Sequence, residues 1–485
     1  MRTRVLFFLV VLALSTKAVA YHNGFPQASL VREVIADAPY RIEPTDTPVQ
    51  VPVLIFINDA GFIDQDNTQT NKPYHITNIS IFKDGVRLIY DTPNLLVEGS
   101  KRYNLYKKGS WYKVFYISSS EFSGDSTLNV VINGFDVVCN TVHHLNDSQY
   151  IDRIECVNKT QNFEYTLGVK KAMEEMPKFD NWYCGDTHYH TVYTDDPAPF
   201  NGEVGAPVDV TMEAGKIIGL DWTSANTHSE DLSDYKWSDS EYGLTNVCTQ
   251  KDGFVCIPGE EISCGWHCVS NVCIAGVSHY LAYDISDWIG GSAVGVMKPC
   301  EWVVNNVNVQ GGVGYAAHPM DHYVSIGSWI GLVKWQDYTL DFNGLEVWNI
   351  ESETSKLEDG LKEYDRALMN NLSRRIFISG GSDAQGFFNE IFGDTTFGKP
   401  RTCCYMTSNT RDNILGALRN GHCFFGNGPA LKFTINGKQI GDTVNIVDGE
   451  NISMSIEWKS TEEFDKVDKT NTTSQIVFIC CLKGG

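Results

Sequence analysis

Residues 185–196 read Gly-Asp-Thr-His-Tyr-His-Thr-Val-Tyr-Thr-Asp-Asp, and the alternation at their centre decides how the chain is read. In an extended strand, side chains two apart point the same way, so His188 and His190 can offer both imidazoles to one ion. Thr194 and Asp195 follow in a short loop that lets the Asp195 carboxylate curl back. A single His-x-His pair is a common surface accident. Here it has company at the ends of other apolar runs. His228 follows the run from Gly219, Glu261 follows Val255–Gly259, His318 follows Gly311–Ala317, and Asp383 follows Gly380-Gly381. Imidazoles and carboxylates drawn from five separate strand ends are the donor set of a divalent metal site.

The residues around these positions predict an alternation of strands and helices. Val210, Ala214, Ile217 and Ile218 share one helical face that Gly219 ends, and Leu220–Ser224 then reads as a strand. Gly311–Ala317, Leu345–Asn349 and Arg375–Ser379 read as further strands, with Leu357, Leu361, Tyr364 and Leu368 at helical spacing between the last two. Such a pattern predicts an α/β barrel-like layer over 179–424, whose strand carboxyl ends gather the chemistry. Thr410 is the expected cap and Gly421 the stop of a closing helix.

Both flanks read as β-structure. Over 21–178, the runs Val51–Ile57, Tyr74–Ile81 and Leu128–Ile132 are separated by turn formers such as Lys83-Asp-Gly85, which predicts a β-sandwich. Val169–Met176 reads as a short linking helix, and His143-His144 as an ordinary surface pair. Over 425–485, Leu431–Ile435, Asn436-Gly437, Thr443–Val447 and Ile452–Trp458 predict strands joined by hairpin turns.

Residues 1–20 have the layout of a cleaved export signal: Arg2 and Arg4, an apolar run from Val5 to Leu14, then Ala18-Val-Ala20. The apolar run is short for a membrane span, which needs about 20 such residues. Fourteen cysteines, an even number in an exported chain, predict several disulfides. Cys139 with Cys156 and Cys248 with Cys256 would close short loops. Sequons begin at Asn78, Asn146, Asn158, Asn371, Asn451 and Asn471, as in a secreted glycoprotein. A formal charge of −22 argues against duplex nucleic acid or an anionic membrane as the partner. A small-molecule or ester substrate remains, with oligomeric state unspecified. There is no phosphate-cradling Gly-rich loop ending in Lys-Ser or Lys-Thr, and Ser382 lacks the Gly-x-Ser-x-Gly setting of a nucleophile.

The pieces Gly185–Asp196, Gly219–Ser229, Ile257–Ser263, Gly311–Pro319, Leu345–Asn349, Gly380–Gly386 and Asn413–Gly437 occur in an order that resembles the PHP (polymerase and histidinol phosphatase) metallohydrolases. More narrowly, the chain looks like their secreted CehA/McbA-type branch. The resemblance covers roughly 181 to 460 and leaves the N-terminal sandwich out. It implies a distorted (β/α)7 barrel with one to three divalent ions, zinc, manganese or iron. His188, His190, Glu261 and Asp383 would surround a first ion, and Asp195 and His228 a second. His318 would join Glu261 at a third, completed by His267 or another nearby polar group.

The implied activity is hydrolysis of a phosphomonoester or phosphodiester by a metal-bound hydroxide, with His188, His190, His228, Glu261, His318 and Asp383 forming the catalytic set. The same scaffold also suits carbamate, carboxyl ester or amide bonds. Two departures open a different class, a metal-binding or structural protein without catalysis. Gln385 stands where the family has histidine, offering a neutral oxygen instead of a ring nitrogen. Asn226-Thr-His228 replaces Thr-Asp-His and removes a carboxylate beside a ligand. Lys298, Lys399, Arg401 and Arg411 could clamp an anion or be plain surface charge. Phe424–Pro429 could cover the barrel mouth or simply connect domains.

Overall fold

The computed structural model describes residues 33–58, 73–97, 111–146, 149–194, 205–266, 268–269, 272–273, 277–290, 298–321, 333–349, 354–370, 374–384, 388–389, 395–447 and 449–464. Asp195, His267 and Gln385 lie outside the described residues.

The main sheet is built from strands β1 (Trp182–Tyr189), β2 (Trp222–His228), β3 (Phe254–Gly265), β4 (Val277–Tyr283), β5 (Val313–Ala316), β6 (Gly344–Trp348), β7 (Phe377–Gly380), β8 (Arg401–Tyr405) and β9 (Cys423–Gly426). Their spatial order is β7-β6-β5-β4-β3-β2-β1-β8-β9. The path curls so that β1 also meets the chain leaving β7. Tyr189 bridges Ala384, the Thr187 hydroxyl donates to Gly380 O at 3.0 Å, and His190 N donates to Ala384 O at 2.9 Å. Strands β1 to β7 thus form the nearly closed, distorted seven-stranded barrel that the resemblance implied. Six of the seven run in one direction, and β4 alone runs against its neighbours β3 and β5.

Helices α1 (Val208–Ile218), α2 (Cys300–Val309), α3 (Thr354–Asn370) and α4 (Arg411–Asn420) complete the barrel layer. Gly219 takes φ 108° and Gly421 φ 71° as left-handed helix stops, and the Thr410 hydroxyl caps Asn413 N, all as expected. Inside the barrel, Trp222, Val255, Ile257, Leu281, Tyr283, Val313 and Tyr315 pack with Ile414, Leu415 and Leu418 of α4. That apolar plug fills one end and leaves the polar ends of the strands at the other.

Two sheets of the N-terminal region face each other as a sandwich. Val51, Val53, Ile55 and Ile57 of one meet Ile76, Ile79, Ile81, Leu128, Val130 and Ile132 of the other. The alternate residues Ile35, Leu54 and Phe56 point outward into the barrel's core cluster with Val208 and Met212 of α1. Strand period 2 therefore serves both the sandwich interior and its attachment to the barrel. A three-stranded sheet, Ala430–Ile435, Lys438–Gln439 and Met454–Lys459, follows the barrel, and Asn436-Gly437 makes its hairpin turn as predicted.

Two local readings are corrected. Val169–Met176 is no linking helix: Val169–Lys171 end the long strand Gln149–Lys171, because a buried Val169 belongs to the sandwich core. Thr443–Val447 makes no ladder; Ile446 and Val447 are exposed, so their alternation has no apolar face to join. The side chains of His143 and His144 lie outside the described residues. Cys248–Cys256 is a disulfide, as expected, and Cys139 faces Cys156 in the ladder register. Cys184–Cys403, Cys264–Cys300 and Cys404–Cys423 are also bonded. Since neighbouring strand residues face opposite sides, Cys403 ties β8 to β1 while Cys404 ties it to β9.

Candidate metal centre

The opening motif shows how the sequence builds the site. Gly185 is required by a close approach: a Cβ there would sit 2.3 Å from the Trp222 ring. Asp186 is fully buried and organises the return loop. Its carboxylate accepts from His188 N at 3.0 Å, Ser382 N at 2.9 Å, Ser382 Oγ at 2.6 Å and Gly398 N at 2.7 Å. Burial pushes Asp186 up to about 6, against the pull of the Ser382 hydrogen bonds. Gly381 lets that loop press onto β1, since a Cβ would meet His188 Cβ at 2.6 Å and Glu346 Oε1 at 2.7 Å. Asp383 then emerges at φ 52°, a backbone conformation that its surroundings must enforce.

These elements bring His188, His190, Glu261 and Asp383 together, all buried, with ligand atoms within 4.8 Å of one another. His188 Nε2 lies 3.3 Å from both Glu261 Oε2 and Asp383 Oδ1, and His190 Nε2 lies 3.3 and 3.0 Å from the same two oxygens. Around zinc, with metal–ligand bonds of about 2.0–2.2 Å, neighbouring tetrahedral ligands sit roughly 3.3 Å apart. His188 Nε2 and Glu261 Oε2 are buried and make no hydrogen bond, as atoms aimed at a common cation would be. The donor set therefore fits a divalent ion.

A second group is His228, Glu261 and His279, also buried and within the same 4.8 Å. Glu261 joins the two groups. Its Oε2 faces His188, His190 and His228 Nδ1, the last at 3.2 Å, while Oε1 faces His279 Nδ1 at 2.7 Å and His318 Nε2 at 2.9 Å. The described residues thus hold two His/Asp/Glu clusters suited to one or two divalent ions.

Electrostatics follow from five imidazoles crowding one carboxylate. Burial would raise Glu261, but His279, His188 and His228 hold its carboxyl well below the usual range. For His188, burial opposes the charge, yet Glu346, Asp383 and Glu261 lift it well above an ordinary histidine. Burial likewise opposes a charged His318, but the hydrogen bond to Glu261 and the charge of Asp321 push it up to about 9.

Of the residues expected from sequence, His188, His190, Glu261 and Asp383 form the first group, and His228 and His318 reach Glu261. Sequence reasoning missed His279. It searched the carboxyl ends of strands, whereas β4 is antiparallel, so its amino-terminal half reaches the same end of the barrel. The register that sets Ser263 opposite His279 is a long-range pairing of β3 with β4, which the sequence does not mark. Glu346 was also missed as an organiser, although its strand was recognised. His188 Nδ1 lies 3.0 and 3.2 Å from its oxygens, and His318 N donates to it at 3.2 Å. A proton on Nδ1 leaves the Nε2 lone pair for an ion. Asn349 Nδ2 similarly donates to Asp383 Oδ2 at 3.2 Å.

The four suggested clamps are engaged elsewhere. Arg401 is buried and donates to Pro177 O and Gly428 O, Arg411 pairs with Asp284, Lys399 lies 4.3 Å from the centroid of the Tyr40 ring, and Lys298 lies over Trp302. Phe424–Pro429 is not a cover: Cys423–Gly426 is ladder strand β9, and Phe424 packs on Trp182. The Thr227 and Thr191 hydroxyls share a hydrogen bond at 2.8 Å, a neutral contact beside His228.

No family model and no curated protein matches the chain. Among solved structures, it is similar to a Bacteroides vulgatus chain described as a two-domain protein containing a predicted PHP-like metal-dependent phosphoesterase. The identity is 19%, covering 53% of this chain and 69% of that one, with a TM-score of 0.36. A Bifidobacterium adolescentis chain, provisionally described as a metal-dependent phosphoesterase, is 15% identical over 48% of this chain and 94% of its own, with a TM-score of 0.31. Endonuclease Q, solved with a 27-mer duplex bearing an abasic lesion, is 14% identical over 49% and 56%, with a TM-score of 0.28. The metal-binding character of the centre stands on its own side chains. No helix among the described residues is long and apolar enough to cross a membrane.

Proposed function

We propose that the protein is a secreted metal-dependent hydrolase of the PHP type, in the CehA/McbA-like branch, that cleaves a phosphoester. The observation that carries this reading is Glu261, which belongs to both His/Asp/Glu groups, one with His188, His190 and Asp383 and one with His228 and His279. One shared carboxylate between two cation sites suits a reaction in which entering and leaving oxygens both need stabilising. When bound, divalent ions supply Lewis acidity and lower the pKa of water towards neutrality. His188, His190, Glu261 and Asp383 would hold one ion, and His228 and His279 the other with Glu261. Glu346 keeps the His188 ring oriented, and Asn349 does the same for Asp383. Zinc, manganese and iron all suit a nitrogen and carboxylate set.

Lys298, Lys399, Arg401 and Arg411 are engaged elsewhere, and the substrate we propose is a phosphodiester or phosphomonoester, with a carbamate, carboxyl ester or amide as the second reading. The signal-like first twenty residues and the disulfides support export, since such bonds persist in oxidising compartments. The acidic chain supports a small ester over duplex nucleic acid.

The test is hydrolysis of chromogenic phosphodiester, phosphomonoester and carboxyl ester probes by metal-loaded and chelated protein. Phosphoester cleavage that disappears on chelation and returns with zinc or manganese is expected. An ion-loaded, folded protein that cleaves none of the three would leave a metal-binding protein without catalysis.

A further inference from the structure

The strands Asp125–Asn146 and Gln149–Lys171 form one long ladder, and only its root belongs to the sandwich interior. Leu128, Val130, Ile132, Leu167 and Val169 are buried in that core, whereas every residue from Cys156 to Thr160 is exposed, Val157 by 60%. Asp125–Asn146 pairs on its other side with Tyr74–Lys83. Gln149–Lys171 has no such neighbour: among the described residues, only its Lys170 and Lys171 meet a further strand, Arg41–Ile42. From Gln149 to Leu167 the outer edge therefore presents a row of N–H and C=O groups that no described strand pairs. Such an edge is a template for pairing with another chain, and folds blunt it with proline, charge, a bulge or a cover. From Cys156 to Phe163 there is no proline, Lys159 is the one charge, and the ladder runs without a register shift. Cys156 is disulfide-bonded and stands opposite Cys139, which keeps this part of the edge in place.

The sequon Asn158-Lys159-Thr160 lies within that stretch. Phe163, Tyr165, Leu167 and Val169 turn towards the sandwich core, so alternation without a shift puts Asn158 and Thr160 on the opposite, solvent-facing side. Asn158 is exposed, and its amide makes no hydrogen bond among the described residues. Asn78, which begins another sequon, is placed differently. It is half-buried on a strand with a neighbour on either side, its Oδ1 accepts from Asn133 Nδ2 at 2.8 Å, and Ser80, which supplies the hydroxyl of that sequon, is buried.

We infer that Asn158 carries an N-linked glycan, which covers the open edge of the sandwich against pairing with a second chain. This rests on the export reading above, because such sequons are acceptors in secreted chains. The co-reactant is a lipid diphosphate-linked oligosaccharide. In the transfer, the bond between its anomeric carbon and the diphosphate oxygen breaks, and one from that carbon to the Asn158 amide nitrogen forms. The nitrogen loses one proton, and the lipid diphosphate leaves with the electron pair. An added strand would lie about 4.8 Å from the edge. A bulky, hydrated glycan rooted on the outermost strand overhangs that space. The same glycan on Asn78 would have to displace the bond from Asn133.

The experiment secretes the full chain from cultured eukaryotic cells, reads its glycopeptides by mass spectrometry, and reads its size by chromatography with light scattering. Asn158 should be modified in most secreted molecules. Asn158→Gln and Thr160→Ala should each remove that glycan and shift the protein to larger assemblies that grow with concentration. Val157→Lys added to Asn158→Gln should reverse the shift, because charge on an edge opposes strand pairing. Asn451→Gln, at an exposed sequon away from this edge, should leave the size unchanged. If the Asn158 and Thr160 variants are not secreted, enzymatic removal of the glycan from folded wild type gives the same comparison. A bare Asn158 on the secreted chain overturns the site, and an unchanged size after loss of the glycan overturns its role. A chain that the cells retain with residues 1–20 uncleaved refutes the export reading, and the glycan with it.

Discussion

The two sides of Glu261 differ in how they are made. Oε2 faces mainly residues that local spacing brings together, a His-x-His on β1 with Asp383 held against that strand by Asp186 and Ser382, joined by His228 from the neighbouring β2. Oε1 faces His279 and His318, one from an antiparallel strand and one from a strand end at φ 25°. The first side is assembled by strand periodicity, the second by topology. A metal centre built this way should lose its ions one at a time when either side is damaged, and together when the shared carboxylate is damaged.

The strongest break of that comparison is Glu261→Gln. It removes the charge common to both sides while keeping size, so both ions should be lost. Phosphoester hydrolysis should fall by more than about 100-fold, beyond the range for loss of an outer partner. Metal content of the dialysed variant and its rate at saturating metal check this.

Next come the one-sided changes. His188→Ala with His190→Ala should remove one ion and spare the other, and His279→Ala should do the converse. Elemental analysis reads the stoichiometry. Loss of both ions in either variant would show that the sides fill only as a unit.

Glu346→Gln sharpens the comparison by acting on one ring. It weakens the hold on His188 Nδ1, so affinity of the His188 side should drop by about 10- to 100-fold with the other ion nearly unaffected. Chelator competition separates the two.

The mildest effect is that of pH. His318 is raised from an ordinary 6.5 to about 9, so its contribution to metal-free stability is complete below 6.5 and disappears as pH rises through 9. Metal competes with those protons, so affinity should rise across the same window, by at most about tenfold per pH unit for each proton displaced. Calorimetry in buffers of different ionisation enthalpy counts the protons released.

Much of this was legible in the residues. The strand-end placement of His188, His190, His228, Glu261, His318 and Asp383 follows from apolar runs ending in polar groups, and Gly219, Thr410 and Gly421 mark helix limits by their backbone demands. What escaped was set by non-local choices. A strand's direction leaves no mark in its period, so nothing in Val-Ser-His-Tyr-Leu-Ala-Tyr marked His279 as lying at the polar end of the barrel. Glu346, amid Leu345, Val347 and Trp348, gave no cue that His188 lay across the barrel. Thr443–Val447 had the pattern of a strand but pairs with no strand among the described residues, and its Ile446 and Val447 stay exposed.

The most direct measurement is anomalous diffraction from crystals soaked in zinc. The account predicts one peak within bonding distance of His188 Nε2, His190 Nε2, Glu261 and Asp383, and a second beside His228, Glu261 and His279. Density without a peak at either position, or zinc bound only by other side chains, would contradict it.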